Sequence, residues 1–237
     1  MLSYRKLAMR VLGRPLHTGG NDSPRPASQR AAALVLTAAM LTTLTAPAFA
    51  GTWYIEDGDI TISAGKTEGT NKVTQGTTTD EEDTNTTITN RDKDTPSSNT
   101  VTIKAENEND KVEVKLEDVN IDASSRVNPS ATTLNDTSYA AVNVTGKGDT
   151  NIELDGDNKL KSGDRHAGLE HNQTVDGEGN VTSGKLTIQD DNDKAGSLTA
   201  TGGYFGAGIG GGSKNAGQVT ITGGTITAIS GDGAGIG

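Results

Sequence analysis

Gly196-Ser-Leu-Thr-Ala-Thr-Gly-Gly-Tyr-Phe-Gly-Ala-Gly-Ile-Gly210 is followed by a near-copy, Gly224-Thr-Ile-Thr-Ala-Ile-Ser-Gly-Asp-Gly-Ala-Gly-Ile-Gly237, at a period of 27 to 28 residues. Upstream the same plan recurs in diluted form: Ile152-Glu-Leu154, Leu160 and Ala167-Gly-Leu169 precede Leu186-Thr-Ile188, Leu198 and Ala207-Gly-Ile209 by 34, 38 and 40 residues. A further diluted copy runs through Val112-Glu-Val114, Val119-Asn-Ile121 and Ala141-Val-Asn-Val144. Self-similarity at this spacing belongs to stacked units, none of which can bury its apolar face alone. Within the units the short runs Ile60-Thr-Ile62, Val101-Thr-Ile103, Val112-Glu-Val114, Ile152-Glu-Leu154, Leu186-Thr-Ile188 and Val219-Thr-Ile221 alternate aliphatic with polar residues, the period of a strand with one buried face. Gly-Gly, Gly-Asp and Asp-Gly pairs close them after a few residues, as turns between short strands require.

These features predict an all-β chain coiled as a right-handed parallel β-helix, a β-solenoid, with no helix of ten residues beyond the N-terminal segment. The composition fits: 31% of residues are apolar, only 3% are aromatic, and there are 31 glycines. A narrow coil is filled by stacked Val, Ile, Leu and Ala, and glycine allows close backbone approach at its corners. The absence of cysteine excludes disulfide scaffolds and thiolate metal sites.

Three regions are expected. Residues 1–50 read as a secretory signal peptide, with Arg5, Lys6, Arg10, Arg14, Arg25 and Arg30 before the uncharged stretch Ala31 to Ala50 and a small-x-small ending, Ala48-Phe-Ala50. A retained membrane anchor is the alternative, weakened by Pro47 and the many Ala and Thr residues. The mature chain then begins at Gly51. Residues 51–110 hold an N-terminal cap, with Trp53-Tyr-Ile55 as its aromatic cluster, and first turns interrupted by a polar, mobile excursion from Gly65 to Thr100 that is solvated rather than packed. Residues 111–237 hold the repeats, expected to be incomplete at the C-terminus because Gly237 falls inside the second Gly-Ala-Gly-Ile-Gly copy. Ile221 is expected to face the interior.

Removing residues 1–50 subtracts six basic and one acidic residue from totals of 21 and 31, leaving 15 against 30 and a net charge of −15. That field disfavours nucleic acid and anionic lipid and leaves cations, cationic surfaces and neutral glycans open. A cysteine-free exported chain suits a bacterial secreted or cell-surface protein.

Gly206-Ala-Gly-Ile-Gly-Gly-Gly212 with Gln218-Val-Thr-Ile-Thr-Gly-Gly-Thr-Ile-Thr-Ala228 resembles the Gly-rich repeat of bacterial surface proteins. Ile152-Glu-Leu-Asp-Gly-Asp-Asn158 and Leu198-Thr-Ala-Thr-Gly-Gly203 are similar to a secreted carbohydrate-binding-domain family with a right-handed parallel β-helix. The resemblance runs from Val112 to Gly237. It implies a surface-exposed polysaccharide- or glycan-binding, adhesin-like module, with calcium-assisted binding of acidic plant polysaccharide; no site residue is carried over from it.

Three groups of residues could carry chemistry. Asp190, Asp191 and Asp193, beside Asp155 and Asp157 one repeat earlier, offer carboxylates suited to Ca2+ as the cofactor, although an EF-hand is excluded because the fifth and twelfth positions from Asp191 are Ala195 and Gly202. Asp and Asn are equally what solvent-facing turns contain. Tyr204-Phe205 is a candidate sugar-stacking platform if the rings face outward, or a plug for the coil if one faces inward. His166 and His171 could share a metal only on a looped backbone. Lys161 and Arg165 near Asp157 and Asp164 are the ingredients of a β-helix polysaccharide lyase, the alternative to a non-enzymatic binding module; an inert stalk is the third reading.

Overall fold

The structure, a computed structural model, describes residues 50–133 and 137–237. The basic and apolar residues expected to form the leader therefore lie outside the described residues, except for Ala50. The described chain is all-β: β1 (Thr52–Tyr54), β2 (Ile60–Ala64), β3 (Asn71–Gln75), β4 (Thr78–Asp83), β5 (Thr86–Thr89), β6 (Val101–Ala105), β7 (Lys111–Glu117), β8 (Asn120–Asp122), β9 (Val142–Gly146), β10 (Asp149–Lys161), β11 (Leu169–His171), β12 (Leu186–Gln189), β13 (Gly196–Thr201), β14 (Ile209–Gly210), β15 (Val219–Ile221) and β16 (Thr225–Ile229). A single 3-10 turn, Ile55–Asp57, is the only helical element among the described residues.

Parallel pairing builds three stacks. Stack one is β1, β5, β7, the first half of β10, β12 and β15. Stack two is β8, the second half of β10, β13 and β16. Stack three is β2, β6, β9, β11 and β14. The long β10 belongs to two stacks and changes partners at Gly156, whose φ of +61° lies in the left-handed region that glycine enters without strain. From β7 onward successive strands visit stacks one, two and three, and each full pass adds one rung to every stack.

Register places the aliphatic residues in columns. Val114, Ile152, Ile188 and Ile221 follow one another in stack one, and Ile60, Val101, Val142, Leu169 and Ile209 in stack three. Nearly all of them are fully buried in one cluster with Leu116, Ile121, Leu154, Leu160 and Leu198. Each such Ile or Leu side chain contributes about 1.5–3 kcal/mol by leaving water. All six alternating runs of the sequence form strands with the expected residues in these columns. Ile221 keeps the register but remains 37% exposed, because among the described residues no strand lies on its outer side.

The polar stretch from Gly65 to Thr100 differs from its expectation. It contains β3, β4 and β5; β3 and β4 join β2 in antiparallel order, and β5 is a rung of stack one. Its buried positions are largely polar, which is why no apolar period marks them. Asn71 Nδ2 donates to Thr86 Oγ1 at 2.8 Å and to the Glu113 carbonyl at 2.6 Å, and Gln75 Nε2 donates to the carbonyls of Tyr54 and Gly58 at 2.7 and 3.0 Å. Hydrogen bonds to backbone replace hydrocarbon packing there, and buried amides are tolerated on that condition. The ladders also cross position 110 without a break, since β5 pairs with β7 and β6 with β9.

Candidate functional site

The connections leading from stack two into stack three contain the Gly-rich motif and lie on one another. Gly168 N–H donates to the Ala207 carbonyl at 3.2 Å, Gly208 N–H to Ala234 at 3.2 Å, and Arg165 N–H to Tyr204 at 2.7 Å. The glycines are required by this approach: a Cβ on Gly206 would collide with the His166 carbonyl oxygen. Backbone packed this closely leaves no inward space for large side chains, and Arg165 and Phe205 take left-handed φ angles of 70° and 68°.

Tyr204 and Phe205 consequently point outward, 52% and 45% exposed. Their ring centroids are 4.1 Å apart with the planes tilted by 55°. The Arg165 guanidinium lies 5.5 Å from the Phe205 centroid, within cation–π range. The nearby Asp232 carboxylate raises the Tyr204 phenol above its ordinary pKa. One rung before Arg165, Arg126 lies 4.2 Å from the Tyr139 centroid and grips Asp59 through Nη1 and Nη2 at 2.5 and 2.7 Å. Burial would raise the Asp59 carboxyl, but the Arg126 fork and the Thr100 N–H together outweigh it and hold Asp59 below the usual carboxylate range.

The expected cation ligands are placed differently from one another. Asp155 is only 3% exposed; Lys115 Nζ lies 3.4 Å from its Oδ2, and Asn192 Nδ2 donates to its Oδ1 at 2.6 Å. Asp157 accepts from Ser197 Oγ at 2.7 Å, and Asp190 Oδ2 accepts from the Gly196 N–H at 3.2 Å. The Asp191 and Asn192 amides donate to Glu153 Oε1 at 2.9 and 3.3 Å, whereas the Asp193 side chain is exposed. The loop is thus latched onto the preceding rung. Among the described residues, no group of three or more His, Asp or Glu side chains is arranged to hold a metal ion. Asp155 has the Lys115 ammonium against it, and Lys194 pairs with Glu117 beside it. Lys115, Glu117, Glu153 and Lys194 were invisible as partners in the sequence, where up to 79 positions separate them; only the register sets Lys115 beside Glu153 and Glu117 beside Asp155.

The histidines also part company. His166 Nδ1 lies 3.0 Å from Glu170 Oε2, while His171 is buried with Nδ1 and Nε2 at 3.1 and 2.8 Å from the carbonyls of Val144 and Gly184. Lys161 is tied to Asp122 at 3.0 Å, and the Arg165 guanidinium lies against the Phe205 ring. A polar cleft of about 230 Å³ on the outer face of stack one is lined by Thr86, Glu113, Lys115, Asn151, Glu153 and Gln189, among others.

No family model, curated protein or solved structure matches this chain.

Proposed function

We propose that the three parallel stacks are the faces of one right-handed β-helix, exported to the surface or surroundings of a bacterium, and that it acts as a non-enzymatic glycan-binding, adhesin-like module. The observation that carries the ligand class is the outward pair Tyr204 and Phe205, ordered by the Gly-rich corner beneath and by Arg165. Sugar rings bring apolar C–H faces to such surfaces, and a rigid aromatic loses little conformational entropy on binding. The return of the chain to each stack once per pass from β7 onward supports the coil. The repeat resemblance and the acidic charge support an exported protein that avoids nucleic acid and inserts in no membrane once processed; no described helix is long and apolar enough to cross one.

Retention of the exported protein on insoluble neutral polysaccharides, with and without chelator, tests this reading. Tyr204→Ala and Phe205→Ala are each expected to weaken retention about tenfold, the loss typical of a well-placed aromatic contact, without moving the melting temperature. Chelator should have no effect. Unchanged retention in both variants refutes the aromatic platform, and chelator-sensitive retention refutes the metal-free reading.

A further inference from the structure

Asp83, the last residue of β4, is fully buried. Its carboxylate is held by three donors, and all three are neutral. The Gly51 and Asn85 backbone N–H groups donate to Oδ1 at 2.9 and 3.0 Å, and the Trp53 indole N–H donates to Oδ2 at 2.7 Å. Among the described residues, none of the ion pairs includes Asp83. A carboxylate taken wholly out of water is costly unless hydrogen bonds and a counter-charge both offset its desolvation. The hydrogen bonds are in place, and among the described residues the counter-charge is not.

One of these donors, 2.9 Å from Oδ1, is the nitrogen of Gly51, which follows the small-x-small ending Ala48-Phe49-Ala50. Ala50 is exposed and Gly51 is buried. Gly51 is held on both sides, because its carbonyl accepts the Thr87 N–H at 3.0 Å. The position also admits no side chain: a Cβ there would lie 2.5 Å from Trp53 Nε1 and 2.7 Å from Asp83 Oδ2.

We propose that Asp83 is the built receptor for the α-ammonium group released when the Ala50–Gly51 bond is cut, so that removal of the leader completes a buried ion pair and fastens the first rung. The proposal rests on the export reading above. A signal peptidase adds water across the peptide bond: the C–N bond breaks, the water oxygen ends in the Ala50 carboxylate, and its two protons end on the Gly51 nitrogen as –NH3+. That nitrogen already stands on Asp83 Oδ1. The hydrogen bond becomes charge-assisted where it is, and the carboxylate gains a cation that the unprocessed amide cannot supply. Trp53, on the same carboxylate, is tightened with it.

The test uses the full chain exported from a bacterial host, with its N-terminus read by mass spectrometry, alone and carrying Asp83→Asn. Each protein is compared with a form acetylated on its α-amine while unfolded and then refolded, which restores a neutral amide on Gly51. Urea unfolding is followed by fluorescence of Trp53, the single tryptophan. Acetylation is expected to lower the folded-to-unfolded ratio of the parent about tenfold and to change Asp83→Asn less than about twofold. Equal losses in both proteins overturn the ion pair while leaving export intact. A mature N-terminus other than Gly51 overturns the processing step. If Asp83→Asn does not accumulate, the parent decides: an unfolding midpoint indifferent to acetylation overturns the proposal.

Discussion

Ile152 and Ile221 occupy the same column of stack one two rungs apart, and their substitution by alanine separates an interior rung from an edge. Ile152 is fully buried between Val114 and Ile188, whereas Ile221 has Ile188 on one side and is 37% exposed. Ile152→Ala removes three carbons from water-free surroundings, about 2.4 kcal/mol at roughly 0.8 kcal/mol per methylene. The cavity adds about 1.5 kcal/mol if some 60 Å³ stays open at roughly 24 cal/mol per Å³. The total is about 4 kcal/mol. At Ile221 about two-thirds of the transfer term survives and solvent fills the space, which leaves about 1.5 kcal/mol. Because a stacked array can lose its edge rung separately, the measurement is amide hydrogen exchange in β7, β12 and β15 together with urea unfolding by circular dichroism. Ile152→Ala should weaken protection on both neighbouring rungs, and Ile221→Ala only on β15. A cost at Ile221 equal to that at Ile152 would refute the column and its one-sided support.

Two further outcomes are expected. Gly206→Ala should cost about 2–3 kcal/mol, because the added methyl meets the His166 carbonyl and backbone must move apart to admit it; a melting curve coincident with the parent's would show that the corners are not in contact. The carboxyl of Asp59 is held below its unfolded value of about 4, so its pairing with Arg126 contributes stability above that pH and loses it as pH falls through the lower folded value. Asp59→Asn should therefore flatten the acid side of a plot of urea midpoint against pH, and superimposable profiles would remove this role.

The near-repeat of Leu198-Thr-Ala-Thr-Gly-Gly203 at Ile226, with its alternation of aliphatic and polar residues, was enough to define strands, their spacing and the residues of the core columns, because a period of two has only one way to bury its apolar face. The outward direction of Tyr204 and Phe205 was not contained in that pattern. It follows from the stacking of Gly206 on His166, a contact between rungs 40 positions apart. The strands between Gly65 and Thr100 escaped the sequence because Asn71, Gln75 and Asp83 are buried by hydrogen bonds to distant backbone, and a hydrophobic pattern is blind to polar burial. Composition likewise counted the aspartates near Asp155 and Asp190 but could not assign their charge. Loop lengths between repeats differ by several residues, so only the folded register brings Lys115 to Asp155 and Lys194 to Glu117, and gives Asp155 a counter-charge that the sequence does not place there.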